Sequence, residues 1–350
     1  MPFKITINKF YGGIADDLTA GTSAEYANAL MLDDFMENGR LSPYRSYVSD
    51  TSLATNIRRI LIGSDTSIYA MGESSLVARS TLYKKEADPT LAGWTFIRTG
   101  GLGASTAEGF AQGGKSLFFW SGTHLDRYEI AEEVYTDQFQ TPAGLVAPGP
   151  IYTHSNGTTY FAYDNKIASW DLTTFTAIAL DLPSMYTITD LTEWNNYLVI
   201  TARFAVDPAN SRVFFWDTIN TSTYNFSKKI PEGVAYIGKN IGDEVAVIAV
   251  NGNTTLVRDA TLFAYTYNGG QFVLRKKLIA RENTTIEEIS AAGDPVAVVK
   301  NNQLYFAAEM GGVIGIWRFG INNGTYCLKR DRFATNDNTC LLYTSPSPRD

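Results

Sequence analysis

Apolar residues in this chain come in short bursts separated by polar, glycine-bearing turns. Six such bursts are Ile68-Tyr69-Ala70-Met71, Leu117-Phe118-Phe119-Trp120, Tyr160-Phe161-Ala162-Tyr163, Leu198-Val199-Ile200, Val245-Ala246-Val247-Ile248 and Leu304-Tyr305-Phe306-Ala307. Runs of this length bounded by Gly, Asn, Asp and Ser predict β-strands, since a helix would need a longer, 3.6-periodic stretch. After each burst a second β-prone run closes on an aromatic residue: Tyr83, Tyr128, Trp170, Trp216, Tyr265 and Trp317. By subtraction these aromatics lie 45, 42, 46, 49 and 52 residues apart (83 to 128, 128 to 170, 170 to 216, 216 to 265, 265 to 317). A third run then follows in several repeats, as in Trp94-Thr95-Phe96-Ile97, Phe175-Thr176-Ala177-Ile178, Phe272-Val273-Leu274 and Tyr326-Cys327-Leu328. Asn268-Gly269-Gly270 and Asn322-Asn323-Gly324 supply hairpin turns.

A loose period of about 45 residues with about four strands per repeat is the signature of propeller blades. The sequence therefore predicts an all-β protein: a β-propeller with six visible, irregular four-stranded blades, six or seven in full, over residues 51–339. A blade is packed face to face between two others, so both faces of its strands are buried and strict alternation is lost. The closing aromatics are expected to fill the wedge that widens outward between blades; the alternative is a rim-exposed platform for a ligand. Residues 1–50 do not fit the repeat and form a non-propeller N-terminal arm. Within it, Thr22-Ser23-Ala24-Glu25 reads as a capping box opening a short helical turn, and Glu37-Asn38-Gly39 as a hairpin turn. The arm either lends a strand to the last blade or reaches a neighbouring subunit, and Phe10, Tyr11, Tyr26 and Tyr44 are its candidate docking residues.

Charge narrows the partners. A formal net charge of −7 gives no general attraction to nucleic acid phosphates, so nucleic acid contact is at most indirect. The basic clusters Arg275-Lys276-Lys277 and Lys329-Arg330-Asp331-Arg332 are expected to be solvated strand or hairpin positions, with a local anionic contact as the alternative. No apolar run reaches the length of a membrane span, and Met1-Pro2-Phe3-Lys4 does not open a signal peptide, so a cytosol-like compartment is expected. The Asn-x-Ser/Thr triplets at Asn156, Asn220, Asn225, Asn253, Asn283 and Asn323 then read as turn chemistry. Residues 340–350, Cys-Leu-Leu-Tyr-Thr-Ser-Pro-Ser-Pro-Arg-Asp, match the translation of a transposase sequencing adapter, so the natural chain is expected to continue beyond Thr339. Setting them aside leaves Cys327 alone, which excludes a disulfide and a paired-cysteine metal site in the rest.

No catalytic constellation stands out. Gly109-Phe110-Ala111-Gln112-Gly113-Gly114-Lys115-Ser116 fits the phosphate-loop pattern, but it runs into an apolar strand rather than a helix, so a hairpin turn is expected. Thr99-Gly100-Gly101-Leu102-Gly103-Ala104-Ser105-Thr106 lacks the third glycine of a dinucleotide loop and reads as an inter-blade connection. His124 and His154 have no nucleophile or metal-ligand spacing and are expected in turns or at the surface. The acid pairs Asp16-Asp17, Asp33-Asp34 and Glu132-Glu133 are expected in solvated loops. The expectation is no enzyme, no cofactor and no metal.

Two stretches carry a resemblance. Phe10-Tyr11-Gly12-Gly13-Ile14, Ala24-Glu25-Tyr26-Ala27-Asn28-Ala29 and Gly39-Arg40-Leu41-Ser42-Pro43-Tyr44 look like the opening of tailed-bacteriophage virion proteins. Asp190 to Ile200 with Ser211 to Asp217 is similar to blades of phage tail-hub, nozzle and packaged-DNA-stabilising proteins. Together they cover about a fifth of the chain and carry no active-site motif. The resemblance implies a structural virion protein, a tail or head-tail connector component whose partners are other virion proteins and copies of itself in a ring. Its location would be the virion, and the host cytoplasm during assembly. A glycan-binding or glycan-cleaving propeller is the alternative, and a bacterial scaffold of the WD-repeat type the second. Trp170-Asp171 and Trp216-Asp217 occur, but the Gly-His partners of WD repeats do not, and the Ser-x-Asp-x-Gly-x-Thr-Trp boxes of sialidases are missing.

Overall fold

Short strands rich in Val, Ile, Phe and Tyr, joined by turns too tight for a crossover helix, can pair only with their neighbours in sequence. The structure, a computed structural model, describes residues 32–33, 42–43, 56–73, 80–85, 94–99, 107–143, 148–204, 210–220, 223–251, 260–280, 297–310, 313–322 and 324–333. In these it shows six four-stranded antiparallel sheets, each a meander of consecutive strands. The first blade comprises β3 (Asn56–Ile62), β4 (Ile68–Glu73), β5 (Ser80–Lys85) and β6 (Thr95–Thr99). The second is β7 (Ala107–Gly113), β8 (Ser116–Ser121), β9 (His124–Glu129) and β10 (Val134–Gln140). The third is β11 (Pro148–Thr153), β12 (Thr159–Tyr163), β13 (Lys166–Trp170) and β14 (Phe175–Asp181). The fourth is β15 (Tyr186–Trp194), β16 (Tyr197–Phe204), β17 (Arg212–Trp216) and β18 (Phe226–Lys229). The fifth is β19 (Val234–Asn240), β20 (Val245–Asn251), β21 (Ala260–Tyr267) and β22 (Val273–Ala280). The sixth is β23 (Ala297–Lys300), β24 (Gln303–Met310), β25 (Val313–Asn322) and β26 (Thr325–Phe333).

The protein is a β-propeller. The first strands pack in succession, β3 on β7, β7 on β11, β11 on β15, β15 on β19 and β19 on β23, which makes them the inner strands around the axis. Five hydrophobic layers lie between the six blades. Tyr69, Met71 and Leu82 meet Leu117, Phe119 and Tyr128 in the first. Phe118 and Trp120 meet Phe161 and Tyr163 in the second. The remaining three join the third blade to the fourth, the fourth to the fifth and the fifth to the sixth. Second strands have side chains in the layers on both faces, which is why β12 and most of β20 are buried at every position.

Inner strands are the elements that the aromatic period does not mark. They carry a register shift in each of the first five blades, between Ile57 and Arg59, Glu108 and Phe110, Pro148 and Ile151, Ile188 and Asp190, and Ala235 and Ile237. A bulge bends a strand and raises its twist, as the crowded hub of a propeller requires. Close approach at the hub also selects small residues: a Cβ on Gly238 would overlap the Thr201 hydroxyl of the neighbouring blade.

In the arm, β1 (Leu32–Asp33) pairs antiparallel with β2 (Ser42–Pro43). Leu32 faces Pro43, so residues 34–41 connect the two strands and the pairing is wider than a two-residue Asn-Gly turn. The helical turn expected at 22–30 and the C-terminal residues 340–350 lie outside the described residues. Among the described residues no helix is long and apolar enough to cross a membrane.

Candidate binding cleft at the axial mouth

In β15 and β19 polar residues concentrate toward the C-terminal end, Asp190, Thr192 and Glu193 in the one and Lys239 and Asn240 in the other. There a cleft of about 530 Å³ opens between Tyr152, Thr192, Lys239, Asn240, Val298 and Asn302. Four different blades contribute to it, through β11, β15, β19 and β23 with its following turn.

The polar groups around this mouth bond from blade to blade. Asp190, with no exposed surface, accepts hydrogen bonds from Leu191 N (2.8 Å), Gly238 N (2.9 Å) and Lys239 Nζ (2.5 Å). Lys239 Nζ also donates to Leu191 O at 3.3 Å. Asn240 N donates to Thr192 Oγ1 (3.2 Å) and its Nδ2 to Glu193 O (2.8 Å). Glu193 in turn accepts from Ser155 N (2.8 Å) and from Ser155 Oγ. Thr153 Oγ1 donates to Gln112 O (2.6 Å), and Gln112 Nε2 donates to Ser64 Oγ (2.7 Å). A row of ties thus runs through the first five blades. A carboxylate held in this way satisfies its lone pairs inside the protein, which a buried charge requires. Tyr152 sits beside the row; burial, reinforced by the Glu193 charge, pushes its phenol up to about 12.

Among the described residues this arrangement does not assemble an activated nucleophile. Ser155, Glu193 and His154 are neighbours, but the hydroxyl is bonded to the carboxylate and not to the imidazole. His154 Nε2 stands 3.8 Å from Glu193 Oε1, while its Nδ1 accepts from Asn156 N at 3.1 Å. An activated serine needs the base on the hydroxyl itself. Among the described residues no three metal-ligating side chains converge.

The six closing aromatics all lie on third strands: Tyr83 on β5, Tyr128 on β9, Trp170 on β13, Trp216 on β17, Tyr265 on β21 and Trp317 on β25. Tyr128, Trp216, Tyr265 and Trp317 are buried, and Tyr83 and Trp170 are half-buried. Trp216 meets Tyr160 of the preceding blade with ring centroids 5.5 Å apart, and its Nε1 donates to Asn220 O at 2.6 Å. The structure does not bring these six together at the axis. The arm residues Phe10, Tyr11, Tyr26 and Tyr44 lie outside the described residues, as do 100–106 of the glycine-rich connection.

Gly109 to Ser116 is a hairpin: Gly113 pairs with Ser116 across the two-residue turn Gly114-Lys115, with Gly114 at φ +59°. Asn156 accepts from Thr158 N, and Asn225 donates to Asp217, so these two triplets do serve turns. Asp217 is held below the usual carboxylate range by Asn225 and by the Ile219 and Asn220 amides, and Asp171 by the amides and hydroxyl of Thr174 and Thr173. Glu132 and Glu133 are exposed in the β9–β10 turn. His154 lies in a turn and is only 4% exposed there, because the turn folds against Glu193 and Tyr160. One expectation is corrected. Lys329 is buried, not solvated, and Arg275 is drawn onto Glu244, Thr266 and the Tyr326 ring.

The sequence reading passed over Asp190, Lys239, Glu193 and Asn240 as site residues. Their signal is the blade period applied to polar residues, since the ties join positions 47 to 49 residues apart between the fourth and fifth blades.

Comparison of the sequence with protein-family models and with curated proteins finds no match. Solved structures match by shape. A catalytically inactive virginiamycin B lyase from Staphylococcus aureus in complex with quinupristin aligns at TM-score 0.55 and 13% identity, over 81% of this chain and 86% of that one. The β-propeller domain of the Trilobed protease from Pyrococcus furiosus, described as having an open velcro topology, aligns at TM-score 0.50 and 10% identity, over 81% and 85%. The extracellular domain of a hybrid two-component system from B. thetaiotaomicron aligns at TM-score 0.50 and 12% identity, over 85% of this chain and 35% of that one. At such identities the likeness is one of fold. Fold and mouth together define a β-propeller scaffold.

Proposed function

We propose that this propeller is a structural component of a tailed-bacteriophage virion, a tail or head-tail connector part that works as a rigid protein–protein interaction disc. The observation that supports the disc role is the use of polar groups at the axial mouth. Asp190, Glu193, Lys239 and Asn240 bond to neighbouring blades, and among the described residues no carboxylate lines the cleft. Groups spent in this way stiffen a disc rather than attack a substrate. The virion assignment rests on the resemblance of Phe10 to Ile14, Ala24 to Ala29 and Gly39 to Tyr44, and of Asp190 to Ile200 with Ser211 to Asp217, to phage proteins. Partners are other virion proteins and further copies of the chain in a closed ring, as multi-copy placement about a tail axis demands. The role calls for no cofactor.

Sedimentation and negative-stain imaging of the full chain test this reading. Closed rings, with portal, terminase or tail genes flanking the coding sequence, are the expected result. A monomer at every concentration, beside sugar-uptake or metabolic genes, would overturn it.

A second reading is favoured by one observation. The cleft combines the Tyr152 phenol, the Asn302 amide, the exposed Val298 and Asn240, whose buried Oδ1 has no hydrogen-bond partner among the described residues. An apolar wall with a few amide and hydroxyl groups suits a neutral glycan. Saturable binding on a glycan array that disappears in Asn240→Ala would select this reading over the first.

A further inference from the structure

Among the described strands each inner strand pairs only with the second strand of its own blade, so its other edge faces the axis. In the first five blades a bulge breaks that strand. In β23 there is none: Ala297, Val298, Val299 and Lys300 pair in unbroken register with Phe306, Tyr305, Leu304 and Gln303. A two-residue turn follows, Asn301-Asn302, at φ 52° and 57°. In such a hairpin the pair that flanks the turn exchanges both hydrogen bonds, and bonded pairs then alternate with non-bonded ones. Lys300 and Val298 therefore bond to β24, while Val299 and Ala297 turn their N–H and C=O groups toward the axis. There they meet the cleft, which Ala297, Val298 and Val299 line in succession. A regular, unbulged edge is a template for another strand.

We infer that the cleft takes an extended segment of a partner polypeptide, which adds to β23 as a further strand. The inference rests on the reading of the disc as a protein–protein interaction part and names what its mouth receives. At about 3.3 Å per residue β23 spans about 13 Å, the length of a segment of about four residues. Side chains of an added strand alternate between two walls. Ala297 and Val299 pack toward the fifth blade, and on that side Asn240 holds a buried Oδ1 with no hydrogen-bond partner among the described residues. A Ser, Thr or Asn of the segment supplies the missing donor. Val298, 62% exposed, faces the other way and suits an apolar cross-strand neighbour. The cleft thus selects an uncharged strand in which hydroxyl and apolar residues alternate. A glycan has hydroxyls for Asn240 but lacks the N–H and C=O groups, repeated at every second residue, that Val299 and Ala297 match.

A fluorescein-labelled, capped pentapeptide, Thr-Val-Thr-Val-Thr, is the probe, titrated with the full chain and read by fluorescence polarisation. It reads the same in both directions, so parallel and antiparallel pairing are both sampled. Saturable binding below about 1 mM is expected. Two N-methylated versions, at the threonines or at the valines, each block one edge of the peptide. One should bind about tenfold more weakly or worse, and the other should change little, because a single edge faces β23. Val299→Pro removes an N–H that faces the axis and none that bonds β24, so it should weaken the probe by about tenfold while the thermal melt stays close to the parent's. If that variant loses its fold, the two N-methylated peptides decide alone. No saturation below about 1 mM, equal affinity of the two N-methylated versions, or full binding by a folded Val299→Pro would each overturn the inference. A glycan-array signal in place of peptide binding would do so too and would give the cleft to a sugar. Closed rings beside any of these failures would sink this inference alone, whereas a monomer at every concentration would sink the disc reading.

Discussion

Replacing Lys239 by Met separates a structural tie from a binding group. Asp190 has no exposed surface, and Lys239 Nζ stands 2.5 Å from its carboxylate. Removing one member of a buried pair leaves an uncompensated charge and destabilises by about 3–5 kcal/mol. Here Leu191 and Gly238 amides still donate to the carboxylate, which places the expected loss at the lower end, about 3 kcal/mol. For a chain of this size a loss of about 3 kcal/mol lowers Tm by roughly 6 °C. Urea denaturation followed by tryptophan fluorescence measures it, and Asp190→Asn combined with Lys239→Met should recover at least half, because the orphaned charge is gone. A single variant within about 0.5 kcal/mol of the parent, the range of an exposed pair, would refute the tie. Lys239 would then be free to serve the cleft as a ligand-binding cation.

Three further outcomes follow from the packing. Gly238→Ala should destabilise by about 1–3 kcal/mol through overlap with Thr201, and Thr201→Ala in the same chain should restore most of it, as read by thermal melting. Trp216→Ala opens a void between the third and fourth blades and should lose about 3–5 kcal/mol in the same assay, whereas Trp216→Phe should lose less. Asp126 is pushed up to about 6 by burial, against the lowering bonds from Tyr135 Oη (2.6 Å) and Gln138 N (2.8 Å). Because the folded pKa lies above the unfolded one, its contribution to stability is fully present below about pH 4 and is lost as pH rises through 6. Tm measured from pH 4 to 8 should therefore fall across that window in the parent, and this component should be absent in Asp126→Asn; an unchanged slope would refute the assignment.

Much of the architecture was legible in one dimension because a propeller repeats. Aromatics such as Trp216 and Tyr265 recur on the third strand of each blade, where outward-widening wedges need large side chains, and the second-strand bursts around Phe161 and Val247 are buried on both faces. Inner strands left a weaker mark. Ala107–Gly113 and Pro148–Thr153 carry glycine, proline and a bulge, since the hub is crowded and strongly twisted, and neither propensity nor alternation reveals such a strand.

The axial mouth was not legible at all. Asp190 and Lys239 look in sequence like two surface charges, and only the stacking of one blade on the next brings them to 2.5 Å and removes the carboxylate from water. Sequence by itself determined strand type, blade length and the hydrophobic filling between blades, because these depend on residues close along the chain. Tertiary structure decided which polar groups are spent as ties and which side chains line the cleft. Those outcomes depend on contacts made one blade period or more apart, where local propensity carries no information.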